Sequence, residues 1–423
     1  MKEKTRGKFD YKWVIIGLCF LMIMFSLGWA SSSRSIFIKP QTERLGIARS
    51  LYSIGDSLRY ISTAVVNLFF GYLIAKFGAK KLILAGLVAL ISAILCYAFA
   101  TNLLLIYIGG ALLGIGFSWT STTIVGYVVN IWSKKNKGTI MGLILCSNGI
   151  GGAIAVNILN PIISASLDGY KTAYLIVASV VAVIFILMIF FFKSRPSIVE
   201  EEEDLGEKSK RRGNDWVGLD IKETVKRPFF YFALVAIFLT GVVLQGVTGV
   251  FTPLMSDNGI SPNIVSIVLT VSMIALAGFK FVSGFLYDKC GLRTTVTLSC
   301  IASMIIMFTY AFTNATPLGI VLAFVSAILG SVALPLETIM LPIYALDLFG
   351  QKSYNQHLGI IVSVNTAGYA VGAPLMNLVY DLTGNYIIGL IIAGCLMAIV
   401  IIILQYVITM SNRERRRQLE LEN

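Results

Sequence analysis

Long apolar stretches alternate with short polar segments along the whole chain. A helix rises about 1.5 Å per residue, so about 20 apolar residues cover the roughly 30 Å of hydrocarbon in a bilayer. Twelve stretches reach that length. The pattern therefore predicts an all-α membrane protein with twelve transmembrane helices, numbered span 1 to span 12 in chain order. The predicted spans are residues 12–34, 51–75, 82–100, 103–131, 139–165, 172–192, 229–252, 263–287, 293–313, 317–346, 357–380 and 386–410.

The amino-acid composition also indicates that the chain lies in a lipid bilayer. The chain is 57% hydrophobic and 13% charged, whereas soluble domains are about 45–50% apolar and about 25% charged. The six cysteines lack the paired spacing of a disulfide framework or a zinc site, and no cofactor is expected. The net charge of +12 resides mainly in short loops, where it orients a membrane protein, so nucleic-acid binding is not expected.

The distribution of basic residues predicts the orientation. With a cytoplasmic N-terminus, 27 of the 34 Lys and Arg residues lie in the segments placed inside and five in the outer segments, Arg34 at the outer end of span 1 included. Short cytoplasmic loops carry such an excess of basic residues. We therefore expect a multi-pass protein integral to the plasma (inner) membrane, with both termini cytoplasmic and the lipid bilayer as its surroundings.

The longest polar segment separates the spans into two sets of six. Residues 193–228 carry an acidic run at 200–204 and a basic run at 208–212, and this composition is typical of a solvated linker. A regulatory or partner-binding role for the linker is the alternative. The predicted organisation is an N-terminal six-helix bundle, a cytoplasmic linker, a C-terminal six-helix bundle and a cytoplasmic tail. Their bounds are 1–192, 193–228, 229–410 and 411–423.

An internal repeat relates the two sets. After span 2 the chain reads GYLIAKFGAKK from Gly71, and 213 residues later, after span 8, it reads GFLYDKCGLR from Gly284. A second echo at an offset of 217 residues relates span 5 to span 11. It pairs Trp132 with Phe349, Gly142 with Gly359 and Asn148 with Asn365. Repeats of this kind place a binding site between the halves near the bilayer midplane.

The G-x3-D-K-x-G-x-R loop that begins at Gly284 resembles the signature loop of the major facilitator superfamily. The resemblance implies two pseudo-symmetric six-helix bundles, with the repeated loops acting in gating. The loop residues that carry it are Gly71, Lys76, Gly78, Gly284, Asp288, Lys289, Gly291 and Arg293. The first copy departs from the family pattern, because Ala75 stands where the family has an acid. The first half therefore lacks the acid on which such a gating ion pair would be built.

Two stretches resemble the monocarboxylate transporters and the bacterial oxalate/formate antiporters. Residues 132–142 read WSKKNKGTIMG, which is similar to the aromatic, basic and glycine-led start of span 5 in those families. Residues 10–13 and 33–36 are similar to their acid and tryptophan at the start of span 1 and their basic residue at its outer end. The resemblance implies a small organic anion as substrate.

Lys280 is the first candidate site residue, because an ionised side chain at membrane depth is costly and marks a site facing water. It precedes Asp288 by eight residues, or roughly 12 Å of helix, which places it near the midplane in span 8. The resemblance implies that Lys280 binds the substrate carboxylate at the position where those families carry a basic residue. The structural alternative is an ion pair with Glu337 that leaves no charge for a substrate.

Glu337 in span 10 is the only acid predicted at that depth. Burial would favour the neutral form of the Glu337 carboxyl, and a neighbouring Lys280 would favour its charged form. This balance suits a group that gains and loses a proton during transport. We expect Glu337 to couple transport to protons. A permanent ion pair, or a polar partner at the kink beside Pro335, is the alternative.

The remaining candidates are polar residues within or near the spans. Arg34, at the outer end of span 1, either attracts anions, as the resemblance suggests, or extends to the interface. Arg59 is expected to pair with Asp56 one turn earlier. Asn148, Asn365 and Gln245 are substrate-binding candidates, although hydrogen bonds between helices are the more usual role of such residues in membranes.

Other classes of function fit less well. The single histidine, His357, lies at the end of span 11, which argues against haem, metal or general-base catalysis. No enzymatic activity is expected. We predict a secondary active transporter for a small organic anion, expected to be a monocarboxylate, that is coupled to protons and functions as a monomer. The alternatives are a carboxylate exchanger, a drug or neutral-solute efflux transporter and, from another class, a membrane receptor or scaffold.

Overall fold

The structure, a computed structural model, describes residues 11–47, 49–133, 135–194 and 218–422. The acidic and basic runs of the predicted linker, residues 200–204 and 208–212, lie outside the described residues, as does Asp10. All the regular secondary structure in these described ranges is helical. The apolar stretches form helices because in hydrocarbon every backbone N–H and C=O must be satisfied within the segment.

The helices of the first half follow the predicted spans. In chain order they are Tyr11–Ile23, which continues as the π-helix Met24–Ser32, then Ser35–Leu45, Arg49–Leu68, Phe70–Ala98, Leu103–Thr120, Thr122–Trp132, Lys137–Ala165 and Gly169–Phe191.

The second half repeats the pattern. Its helices are the short Ile221–Thr224, then Pro228–Asp257, Pro262–Ala311, Pro317–Ala333, the 3-10 turn Leu334–Glu337, Met340–Phe349, Tyr354–Thr383 and Ile387–Glu422. The last helix continues unbroken from span 12 into the predicted tail.

The chain reverses direction at two glycines, each of which lies inside a segment that is helical on both sides. Gly78 has φ 75° inside Phe70–Ala98, and Gly291 has φ 80° inside Pro262–Ala311. Positive φ is accessible to glycine without steric cost, which explains the repeated glycine spacing of the two loops. Ten of the described helices are long and apolar enough to cross a membrane. Adding Arg49–Leu68 and dividing Pro262–Ala311 at Gly291 gives the twelve predicted crossings.

Spans 4 and 10 are both interrupted midway. Span 4 breaks at Ser121, whose backbone is extended, and span 10 passes through the 3-10 turn that ends at Glu337. Pro335 explains the second break, because it has no N–H to donate to the preceding turn. In span 4, the hydroxyl of Ser26 donates a 2.9 Å hydrogen bond to the carbonyl oxygen of Thr120. Span 1 thus supplies a donor next to the first break.

The halves contact each other chiefly through spans 5 and 8 and through spans 2 and 11. A Cβ atom added at Gly284 would collide with the carbonyl oxygen of Gly138, and one added at Gly71 would lie 2.7 Å from the side chain of Gln356. Glycine therefore permits backbone contact between the halves at the end of the bundle that carries the repeated loops. We call this end the loop end.

The end of the predicted linker is folded rather than solvated. The amide of Leu219 donates a 2.9 Å hydrogen bond to the carbonyl oxygen of Phe349, and Leu219 is buried. Thr224 lies 3.0 Å from the ring nitrogen Nε2 of His357. Residues 218–224 are thus hydrogen-bonded to the end of span 10 and the start of span 11.

Candidate functional site

Lys280 lies where span 8 packs against span 5. Its side chain is 2% exposed. A Cβ atom added at Gly142 would lie 2.7 Å from the carbonyl oxygen of Lys280, so the two helices meet at this level. Among the described residues, the ammonium group has no hydrogen-bond or ion-pair partner. The structure therefore places at the interface between the halves a cation that no described residue neutralises.

Glu337 lies at the break of span 10 and is 5% exposed. The hydroxyl of Tyr369 donates a 3.4 Å hydrogen bond to the backbone carbonyl of Glu337, and the carboxylate Oε1 accepts no hydrogen bond from the described part of the chain. No ion pair joins Glu337 to Lys280 within these ranges. The permanent pair that was the alternative for both residues is absent from this conformation.

A row of side chains leads from Glu337 across the interface. The ring of Tyr369 in span 11 meets that of Tyr60 in span 2 edge to face, with centroids 5.9 Å apart. The guanidinium of Arg59 lies 4.5 Å from the centroid of the Tyr60 ring. The two tyrosines thus connect the break in span 10 to the first half.

Two arginines share one carboxylate in the first half. Arg34 Nε lies 3.3 Å from Asp56 Oδ1, and Arg59 Nε lies 3.7 Å from the same oxygen. The predicted Arg59–Asp56 pair therefore forms, and Arg34 joins it. Arg34 is 8% exposed and donates a 2.6 Å hydrogen bond to the hydroxyl of Tyr97. The three charged residues of this cluster carry a net charge of +1.

The predicted amide candidates mostly link helices. Asn148 accepts a 2.9 Å hydrogen bond from the hydroxyl of Ser32, which joins spans 5 and 1. The amide of Asn365 donates a 3.1 Å hydrogen bond to the carbonyl oxygen of Ile237, which joins spans 11 and 7. Gln245 is half-buried and makes no hydrogen bond within the described ranges. Substrate binding by these three residues stays a prediction.

At the loop end, Asp288 joins the two halves. Its carboxylate accepts hydrogen bonds from the backbone amides of Gly138 and Thr139, at 3.1 and 2.7 Å, and from the Thr139 hydroxyl at 2.6 Å. These groups lie at the N-terminus of the helix Lys137–Ala165, where the helix dipole favours an anion. Ala75, the counterpart of Asp288 in the first repeat, cannot form such a link.

The basic loop residues contact their own halves. Lys76 lies 3.3 Å from the hydroxyl of Tyr72, Lys289 lies 4.6 Å from the centroid of the Phe285 ring, and Arg293 donates a 2.6 Å hydrogen bond to Thr409. Among the predicted loop residues, Gly71 and Gly284 meet the opposite half through backbone contact and Asp288 through hydrogen bonds. A role of the whole set in gating stays a prediction.

Sequence reasoning missed the two tyrosines and the pairing of Arg34 with Asp56. Tyr60 and Tyr369 belong to different repeats, and the sequence gives no sign that their rings meet. The position of Tyr60 next to Arg59 was the one available signal.

Comparison with known proteins shows the family. The model of the Major Facilitator Superfamily matches residues 16–255 and again residues 235–423. An uncharacterized MFS-type transporter, YcxA of Bacillus subtilis, is 23% identical over 91% of this chain and 92% of its own. The rat monocarboxylate transporter 13 is 24% identical over 85% of this chain and 80% of its own. The sialic acid transporter NanX of Escherichia coli is 22% identical over 78% of each chain.

Solved structures show the same fold. The transporter FucP in its outward conformation has a TM-score of 0.71 and 16% identity, with 94% of this chain and 99% of that chain covered. The proton:xylose symporter XylE has a TM-score of 0.73 and 14% identity, with 95% and 97% covered. The prediction of a twelve-span, two-bundle fold is thereby confirmed. The chain belongs to the major facilitator superfamily and is a multi-pass membrane transporter rather than an enzyme.

Proposed function

We propose that the protein is a secondary active transporter for a small carboxylate, a monocarboxylate in the first instance, which it carries by alternating access. Within the part of the chain that the structure describes, the ammonium of Lys280 between the halves has no ion-pair or hydrogen-bond partner, and this observation supports the proposal. A buried charge without a partner costs several kcal/mol. An anion that enters from water and pairs with Lys280 offsets that cost, so the site favours a negatively charged substrate.

Proton coupling is proposed for Glu337. Lys280 does not neutralise this carboxyl in the described structure, so it is available to gain and lose a proton. A monoanion on Lys280 and a proton on Glu337 would make the inward step electroneutral. The contact between Tyr369 and Tyr60 gives a route by which the state of the Glu337 region affects the first half.

Arg34 is proposed to attract anions to the outer mouth. The Arg34–Asp56–Arg59 cluster keeps a net charge of +1 after its internal pairing. An excess positive charge near an opening raises the local concentration of anions. Asp56 holds Arg34 in place, so the role proposed for Arg34 is electrostatic rather than direct capture of substrate.

Two sequence motifs and the name of one relative support the monocarboxylate branch of the superfamily. The start of span 5 and the two ends of span 1 resemble the monocarboxylate transporters, and one relative bears that name. Other relatives are named as a sialic acid transporter and a multidrug resistance protein. Absence of carboxylate uptake in the experiment below would leave drug efflux as the alternative.

The two halves and the chain ends have a proposed arrangement in the membrane. The two bundles, 1–192 and 229–410, rock about the site as a monomer, with the linker 193–228, the tail 411–423 and both chain ends in the cytoplasm. The loop end would then face the cytoplasm. The contacts between the halves at the loop end are those expected of a transporter closed on that side.

The test is uptake into proteoliposomes. Radiolabelled lactate, pyruvate, formate and oxalate are offered with and without an imposed pH gradient. We expect one of these carboxylates to accumulate, and to accumulate further when the proton gradient is directed inward. Absence of uptake of all four under every gradient would exclude the carboxylate proposal. Uptake that needs internal anion but no pH gradient would identify an exchanger and remove the role proposed for Glu337.

A further inference from the structure

One face of span 5 lies against Lys280. Gly142, Cys146 and Gly149 recur at the spacing of a single helix face. A Cβ atom added at Gly142 would lie 2.7 Å from the carbonyl oxygen of Lys280, and one added at Gly149 would lie 2.8 Å from that of Met273. Cys146 lies between these two contacts, so its side chain projects toward the Lys280 turn of span 8.

The chemistry of the pair follows from burial and charge. Cys146 is half-buried, its thiol donates a 3.0 Å hydrogen bond to the carbonyl oxygen of Leu143, and it lies within electrostatic range of the Lys280 ammonium. Among the described residues, no other titratable side chain is in comparable range of Lys280. Among the described titratable side chains, the thiol is therefore the one on which the Lys280 charge acts.

We infer that Cys146 is a covalent modification site that lines the same cavity as Lys280 and reacts selectively with anionic thiol reagents. The inference rests on the placement of Lys280 in the transport cavity that the proposed function requires. The ammonium attracts a negatively charged reagent to the thiol. With a methanethiosulfonate, the thiol loses its proton to water and the thiolate attacks the reagent's sulfenyl sulfur. A mixed disulfide forms and methanesulfinate leaves.

The experiment compares two reagents of opposite charge in single-cysteine variants of the full chain. The reagents are the anionic sulfonatoethyl and the cationic trimethylammonioethyl methanethiosulfonates, applied to protein in liposomes. One variant keeps only Cys146, and matched controls keep only the exposed Cys290 or only the buried Cys300. Labelling after denaturation shows that each thiol is intact.

We expect the ratio of the anionic to the cationic rate to be about tenfold higher at Cys146 than at Cys290, with Cys300 unreactive. Lys280→Gln should abolish the excess, and Lys280→Arg should keep it. A Cys146 that labels only after denaturation, or a rate ratio unchanged by Lys280→Gln, would overturn the inference. Retention of the excess in Lys280→Arg shows that a loss in Lys280→Gln reflects charge rather than misfolding.

Substrate protection separates this inference from the proposed function. A transported carboxylate should slow the labelling of Cys146 and leave that of Cys290 unchanged. If the charge selectivity depends on Lys280 but none of lactate, pyruvate, formate and oxalate slows labelling, the modification site stands and the proposed substrate class is wrong.

Discussion

Asp288 offers the sharpest test of how the loop end is held closed. We predict that Asp288→Ala shifts the protein toward conformations open at that end. The change removes all three hydrogen bonds that the carboxylate accepts from Gly138 and Thr139 across the interface. It also removes a negative charge from the N-terminus of the helix that begins at Lys137.

The magnitude follows from these contacts. Hydrogen bonds to a charged group contribute about 1.5–3 kcal/mol each, and a charge at a helix terminus about 0.3–1 kcal/mol. Asp288 is half-buried, and water replaces part of these contacts in the open state. We therefore expect Asp288→Ala to destabilise the closed state relative to the open state by about 2–3 kcal/mol in total. At about 1.4 kcal/mol per factor of ten, the ratio of closed to open molecules should fall by roughly 30- to 150-fold.

Spin-label distances measure this ratio. Labels on Lys81→Cys and Lys352→Cys, two exposed positions at the loop end of opposite halves, are placed in a variant that lacks the native cysteines. We expect Asp288→Ala to add a longer distance population, and Thr139→Ala, which removes only one of the three hydrogen bonds, to add a smaller one. Identical distance distributions for Asp288→Ala and the parent would refute the reasoning.

The other predictions concern the same framework. Ala75→Asp should have the opposite effect to Asp288→Ala in the same distance assay, because it restores an acid at the matching position of the first repeat. Gly284→Ala should slow transport severalfold, since the added methyl collides with the carbonyl oxygen of Gly138; unchanged rates would contradict this contact. Asp56→Asn should destabilise the detergent-solubilised protein by about 1–3 kcal/mol, because it leaves two arginines without an ion-pair partner, while the 29% exposure of Asp56 lets water offset part of the loss. Adding Arg34→Gln should restore part of the loss in a thermal-unfolding assay, and no recovery would count against the shared pair.

The spans could be predicted from the sequence because each helix must cross the same thickness of hydrocarbon. The loop reversals could be predicted from a repeated glycine spacing. The duplicated spacing around Gly78 and Gly291 marks the two turns in the sequence, since both glycines adopt positive φ. Pro335 marked the break in span 10, and Asp56 three residues before Arg59 marked a local pair. Each of these signals is contained within a few turns of one helix.

What escaped prediction depends on contacts between distant parts of the chain. The break at Ser121 has no proline or glycine beside it, and a donor from span 1 lies next to it. Arg34 reaches Asp56 only when spans 1 and 2 are packed, and the separation of Lys280 from Glu337 is a property of how spans 8 and 10 are placed. The folded end of the linker at Leu219 likewise depends on the carbonyl oxygen of Phe349.

Direct binding to Lys280 variants tests the central claim. Radiolabelled carboxylate that supports uptake is titrated onto purified protein by scintillation proximity, for the parent, Lys280→Gln and Lys280→Arg. Loss of the Lys280 cation should weaken binding by at least about 2 kcal/mol, or roughly 30-fold, in Lys280→Gln, while Lys280→Arg retains most of the affinity. Equal affinity for the parent and Lys280→Gln would contradict the assignment of Lys280 as the anion site.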